Sequence, residues 1–120
     1  MPAPRTLFPR LAVFAAAATA ASLFFIDFCN LVFQCGCRSL WAGAADHCNI
    51  HMAGAPHCPW CSSAVLGDTA FAAILVAQAV VAFWPGSWSW MMRLLAAIAA
   101  FPIVGAVAAV ISGWMSGYWR

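Results

Sequence analysis

All six cysteines (Cys29, Cys35, Cys37, Cys48, Cys58, Cys61), all three histidines (His47, His51, His57) and the only three acids (Asp27, Asp46, Asp68) lie between Asp27 and Asp68. Outside that window the only ionisable side chains are Arg5, Arg10, Arg93, Arg120 and Tyr118. This segregation limits the fold more than any other feature. The chain has 120 residues, of which 66% are apolar and 7% charged. A water-soluble domain of that size cannot hide so much apolar surface, because small folds keep a high surface-to-volume ratio. A lipid bilayer is the solvent that suits it. The expectation is an all-α membrane protein, one membrane domain over residues 1–120, with three transmembrane helices.

The spans follow from the apolar runs. Residues 11–33 form the first, 64–84 the second and 91–111 the third. At about 1.5 Å per residue, each is about long enough to cross a hydrocarbon core of about 30 Å. The first run also reads as a cleavable signal sequence, with Arg5 and Arg10 as its basic region and Ala18-Thr19-Ala20 as a cleavage site. The apolar run continues past that site through Ile26, which favours a span. Pro85-Gly86 breaks the chain between the second and third spans, and Trp88 and Trp90 suit a membrane–water interface. Pro102 predicts a kink in the third span. Gln78 predicts a hydrogen bond to a neighbouring helix within the membrane. Gly105, Ala109, Gly113 and Gly117 recur every four residues, a stripe that lets a second helix approach closely. That helix belongs either to the same chain or to a membrane-protein partner or second copy.

Orientation follows from the arginines. With the N-terminus in the cytoplasm, Arg5, Arg10 and Arg93 stay inside and Arg38 and Arg120 lie outside. The Cys/His-rich loop, residues 34–63, is then extracytoplasmic, in an integral protein of a bacterial inner (plasma) membrane. A net charge of +2 from scattered arginines gives no nucleic-acid surface.

Within the loop, Ser39 to Gly54 reads as a short helix, with Ser39 as its cap and Gly54 and Pro56 at its end. His47 and His51 would then share a face, the spacing by which two imidazoles reach one metal ion. The alternative for such a pair is a solvated surface. Cys58-Pro59-Trp60-Cys61 is expected to open the second span, with Cys58 as N-cap and Pro59 at the first helical position. A Cys-x-x-Cys pair there suits either redox exchange or half of a tetrahedral zinc site. Cys35-Gly36-Cys37 suits a soft ion such as Cu(I) and makes a poor disulfide with itself. Asp27 and Asp68 sit at the outer ends of adjacent spans, with Arg38 as the nearest counter-ion.

Three functions fit these residues. The first is binding of a transition metal, zinc or copper, for metal handling or as a small metal-binding subunit of a membrane complex. Its centre would be His47, Cys48, His51, Cys58 and Cys61, with His57 in reserve and Cys29, Cys35 and Cys37 as a separate group. Nine donors are also enough for a binuclear or two-site arrangement. The second is a membrane thiol–disulfide oxidoreductase using Cys58 and Cys61 as its catalytic pair. The third is a disulfide-braced structural or interaction subunit. The histidines order them: imidazole with thiolate is the preferred donor set for zinc and copper, and neither disulfides nor dithiol relays require it. Transport is disfavoured, because the second and third spans carry no acid, beyond Asp68 at the outer end, and no histidine or cysteine to continue an ion path.

Overall fold

The computed structural model describes residues 4–54 and 56–119, with side chains from residue 7 onward. The side chains of Arg5 and Arg120, placed on opposite sides of the membrane by sequence, lie outside the described residues. The fold is all-helical, with three helices long and apolar enough to cross a membrane. Helix α1 is Pro4–Phe33, α2 is the single turn Pro59–Ser62, α3 is Ala64–Phe83 and α4 is Trp90–Ser116. The three long helices pack against one another in an antiparallel bundle, and the molecule measures 55 × 29 × 19 Å.

Local chemistry sets the helix ends. Ser63 and Ser89 cap α3 and α4, their hydroxyls accepting from the backbone amides of Leu66 (3.3 Å) and Met92 (3.2 Å). Gly117, at φ +70°, closes α4 and returns the amide of Tyr118 to the carbonyl of Gly113 at 2.9 Å. Helix α1 gives way to loop with Gln34 at φ +50°. Pro102 lies within α4, which continues through it as one helix.

Inside the bundle, apolar contact does most of the work. Small residues permit it: Ala17, Ala82, Ala97 and Ala109 are fully buried. Part of the expected small-residue stripe serves packing within the chain. A Cβ on Gly105 would lie 2.6 Å from the ring of Phe28 on α1, and one on Gly113 would meet the ring of Trp119. Gln78 is fully buried, and its amide donates to the carbonyls of Ala17 on α1 (3.2 Å) and Ala97 on α4 (3.1 Å). The residue thus joins all three helices, as its position predicts.

The two ends of the bundle differ. At one, α3 turns into α4. Arg93, 3% exposed, donates to the carbonyls of Trp84 (2.6 Å) and Gly86 (2.9 Å), and Arg10 reaches that of Phe83 at 3.4 Å. These guanidiniums serve the carbonyls that α3 leaves unpaired at its C-terminus. At the other end, the C-terminus of α1, the start of α3 and the last turn of α4 enclose the cysteines.

Candidate metal centre

The loop is built differently from the expected helix. Residues 39–54 form three short 3-10 turns, Leu40–Ala42, Ala44–His47 and Asn49–His51, rather than one α-helix. Three backbone positions break the run. Gly43 and Ala44 both have positive φ (+111° and +51°), and Cys48 is extended at φ −68°, ψ 150°. His47 and His51 therefore do not share an α-helical face. An extended residue between two turns swings its side chain off their common surface, which is how the Cys48 sulfur becomes buried at 1% exposure.

The cysteines converge from four pieces of chain. Cys29 lies in the last turns of α1. Cys35 and Cys37 follow on the loop that leaves it. There Gly36, at φ +90°, allows both sulfurs to face inward, 3.3 Å apart. Gly36 also meets a second constraint, since a Cβ there would lie 2.5 Å from the carbonyl oxygen of His47. That close approach lays residues 35–38 beside residues 44–49, joined by Asn49 N–H to Cys35 O (2.7 Å) and Arg38 N–H to Ala44 O (2.9 Å). Cys58 immediately precedes α2 and Cys61 lies within it, with Pro59 at the first position of this short turn rather than of the second span.

The result is one compact group of sulfurs. Cys29 Sγ lies 3.2 Å from Cys58 Sγ and 3.8 Å from Cys35 Sγ, and Cys37 Sγ lies 3.5 Å from Cys61 Sγ. Five of the six cysteines are buried, and Cys61 is half-buried. No pair stands at disulfide-bonding distance, which is about 2.05 Å. Four sulfurs around one zinc ion, each at about 2.3 Å, would sit about 3.8 Å from one another. Two sets of four have all their sulfurs within 4.8 Å of one another and can hold a metal ion: Cys29, Cys35, Cys37 and Cys61; and Cys35, Cys48, Cys58 and Cys61. The structure therefore unites the two cysteine groups that the sequence keeps apart.

The histidines lie outside both sets, on the surface. The ring of His51 hydrogen-bonds the carbonyl of Ala45 at 3.1 Å, and that of His57 the carbonyl of Met52 at 3.2 Å. Asp27 accepts from the Ser39 hydroxyl at 2.7 Å, in place of the expected partner Arg38.

Hydrogen bonds among the sulfurs divide their acidities. Bonds from Cys29 and then Cys58 hold the Cys35 thiol well below its usual range, and a bond from Cys29 likewise lowers Cys58. Burial raises Cys37, and Cys61 is raised by its bonds to Cys29, Cys35 and Cys58. A cation bound among these sulfurs would displace the protons they carry.

Three residues that the sequence does not single out support the sulfurs. Asn49 accepts from the Cys58 amide through Oδ1 (2.7 Å) and donates through Nδ2 to the Tyr118 hydroxyl (2.9 Å). Tyr118 donates in turn to the carbonyl of Phe33 at 2.6 Å. Trp60 forms the floor. It stacks on Phe25 with ring centroids 4.9 Å apart, meets Phe33 edge-on at 5.1 Å and donates to the Ser112 hydroxyl at 3.0 Å. The sole tyrosine and a tryptophan inside the Cys-x-x-Cys pair were the available signals.

A cavity of about 360 Å³ reaches Cys29 and Cys61 from the side, with Ser22, Phe71 and Asp68 in its wall. No protein family, curated protein or solved structure matches the chain.

Proposed function

We propose that this is an integral membrane protein that binds a transition metal, zinc or copper, through its cysteines, for metal handling or as a small subunit of a membrane complex. The observation that carries this reading is the convergence of six cysteines, five of them buried, with neighbouring sulfurs of Cys29, Cys35, Cys37, Cys58 and Cys61 3.2–3.8 Å apart and that of Cys48 within 4.8 Å of three of them. Buried thiols can pack singly as small apolar groups, but the convergence of six on one point is the arrangement that shared ligation of a cation needs. An all-sulfur donor set suits soft and borderline ions, Zn(II) and Cu(I) among them.

The dithiol alternative fits less well. Redox exchange needs an accessible attacking thiol, and Cys58, the N-terminal cysteine of the pair, is 0% exposed. Gln78 also argues for binding over autonomous transport, because its amide locks the three helices together mid-membrane. Arg10 and Arg93 lie at the end away from the cysteines, which supports a cytoplasmic N-terminus and an extracytoplasmic metal centre.

Elemental analysis of detergent-purified protein, combined with thiol counting, tests the reading. Near-stoichiometric zinc or copper with no disulfide is expected. Metal-free protein with all six cysteines oxidised would overturn it.

A further inference from the structure

The two sets of four sulfurs share two members, Cys35 and Cys61. From this overlap we infer that the centre is binuclear: two metal ions held by six thiolates, with Cys35 and Cys61 bridging both. Cys29 and Cys37 complete one ion's coordination, and Cys48 and Cys58 complete the other's. The inference rests on the metal-binding reading and specifies its stoichiometry.

Counting donors gives the same answer as geometry. Two four-coordinate ions need eight ligand places. Six sulfurs fill eight places only if two of them bridge, and the number of shared sulfurs is two. A single ion accounts for the structure poorly. Placed among Cys29, Cys35, Cys37 and Cys61, it would leave Cys48 and Cys58 buried at 1% and 0% exposure with no cation. Placed in the other set, it would strand Cys29 and Cys37, both 2% exposed, and placed among Cys29, Cys35, Cys58 and Cys61, which the same distances also bring together, it would strand Cys37 and Cys48.

The positions of the two bridging residues suit this role. Cys35 lies between α1 and the 3-10 turns, and its carbonyl accepts from Asn49, the residue after Cys48. Cys61 lies on α2 and lines the side cavity. Cys35 thus links the two halves of the loop, and Cys61 faces the route by which an ion can approach. Each thiol releases its proton to water as its sulfur ligates, so loading proceeds by exchange of protons for metal with no change of oxidation state.

Full-length protein in detergent, loaded with zinc and counted by elemental analysis, tests the stoichiometry. Two zinc ions per chain are expected. One ion at saturation overturns the binuclear arrangement and leaves metal binding standing. Four ions, the count for a cage in which every sulfur bridges, also overturns it. No bound zinc overturns both. Loading the unmodified chain with NMR-active cadmium then identifies the bridges without depending on whether a variant folds. The β-protons of Cys35 and Cys61 are expected to couple to both cadmium resonances, and those of the other four cysteines to one. Dual coupling at any other cysteine overturns the assignment. As a further check, Cys48→Ser should keep one zinc ion. Cys61→Ser should weaken both by more than about 100-fold, beyond what loss of a group that merely orients a ligand produces.

Discussion

The two ends of this bundle solve the same problem with different chemistry. Each must end helices and turn the chain where a bilayer gives way to water, and each holds polar backbone that needs partners. At the arginine end, two guanidiniums donate to carbonyls at the C-terminus of α3, and no further ligand is needed. At the cysteine end, thirty residues of loop are folded around sulfurs that hydrogen-bond weakly. The first end is complete as a polypeptide. The second is a cluster of cysteines that could hold a metal ion, and on the proposed reading it would draw its stability from one. A short structural turn therefore suffices where the chain satisfies itself, and a long irregular loop is needed where donors must meet at set distances.

Metal removal should separate the ends most sharply. A membrane-permeant chelator is expected to make residues 34–63 susceptible to protease while helical content by circular dichroism stays nearly constant. If the loop resists protease equally with and without metal, the contrast fails. Next in size is Trp60→Ala. Removing a buried aromatic floor should destabilise the fold by about 3–5 kcal/mol, with loss of bound metal, read by denaturation in detergent and elemental analysis. Arg93→Met tests the other end. It should lower stability by about 1.5–3 kcal/mol, through loss of charged hydrogen bonds, with metal content unchanged. A fall in metal content would show that the ends are coupled. Tyr118→Phe should cost about 1–3 kcal/mol by leaving the Phe33 carbonyl and Asn49 amide short of a partner. Its effect should appear as faster metal loss to a chelator. The smallest effect is expected from replacing His47, His51 and His57 together by alanine, which should leave the metal count intact, since their rings face local carbonyls or solvent.

Much of the architecture was legible from residue type alone. An apolar run of the right length between polar breaks can do little else than span a bilayer, so α1, α3 and α4 fall on the expected runs. The observed helices extend beyond two of them, to Pro4–Phe33 and Trp90–Ser116. Ser63 and Ser89, not Cys58, cap the long helices, because the turn Pro59–Ser62 breaks off before α3 begins. The metal centre was legible as a set of donors and illegible as a geometry. Alanine content and the spacing of His47 and His51 favour an α-helix, but helix propensity is a weak prior. Gly43 and Ala44 at positive φ override it. The merger of Cys29, Cys35 and Cys37 with the later cysteines depends on a reversal at Gln34–Gly36, and no periodicity encodes that. Asn49 and Tyr118 were missed because a polar side chain does not reveal in sequence whether it meets water or a buried amide.

The hydrogen-bond chain from Phe33 through Tyr118 to Asn49 and Cys58 has a consequence in time. Its parts are made at opposite ends of synthesis. The sulfurs of residues 29–61 exist well before α4 does, yet Ser112 and Tyr118, which brace Trp60 and Asn49, come last. The centre can be completed only after α4 has docked. On the proposed reading, metal loading would be a late step in the life of the chain, and a bound ion would mark a molecule whose bundle has assembled.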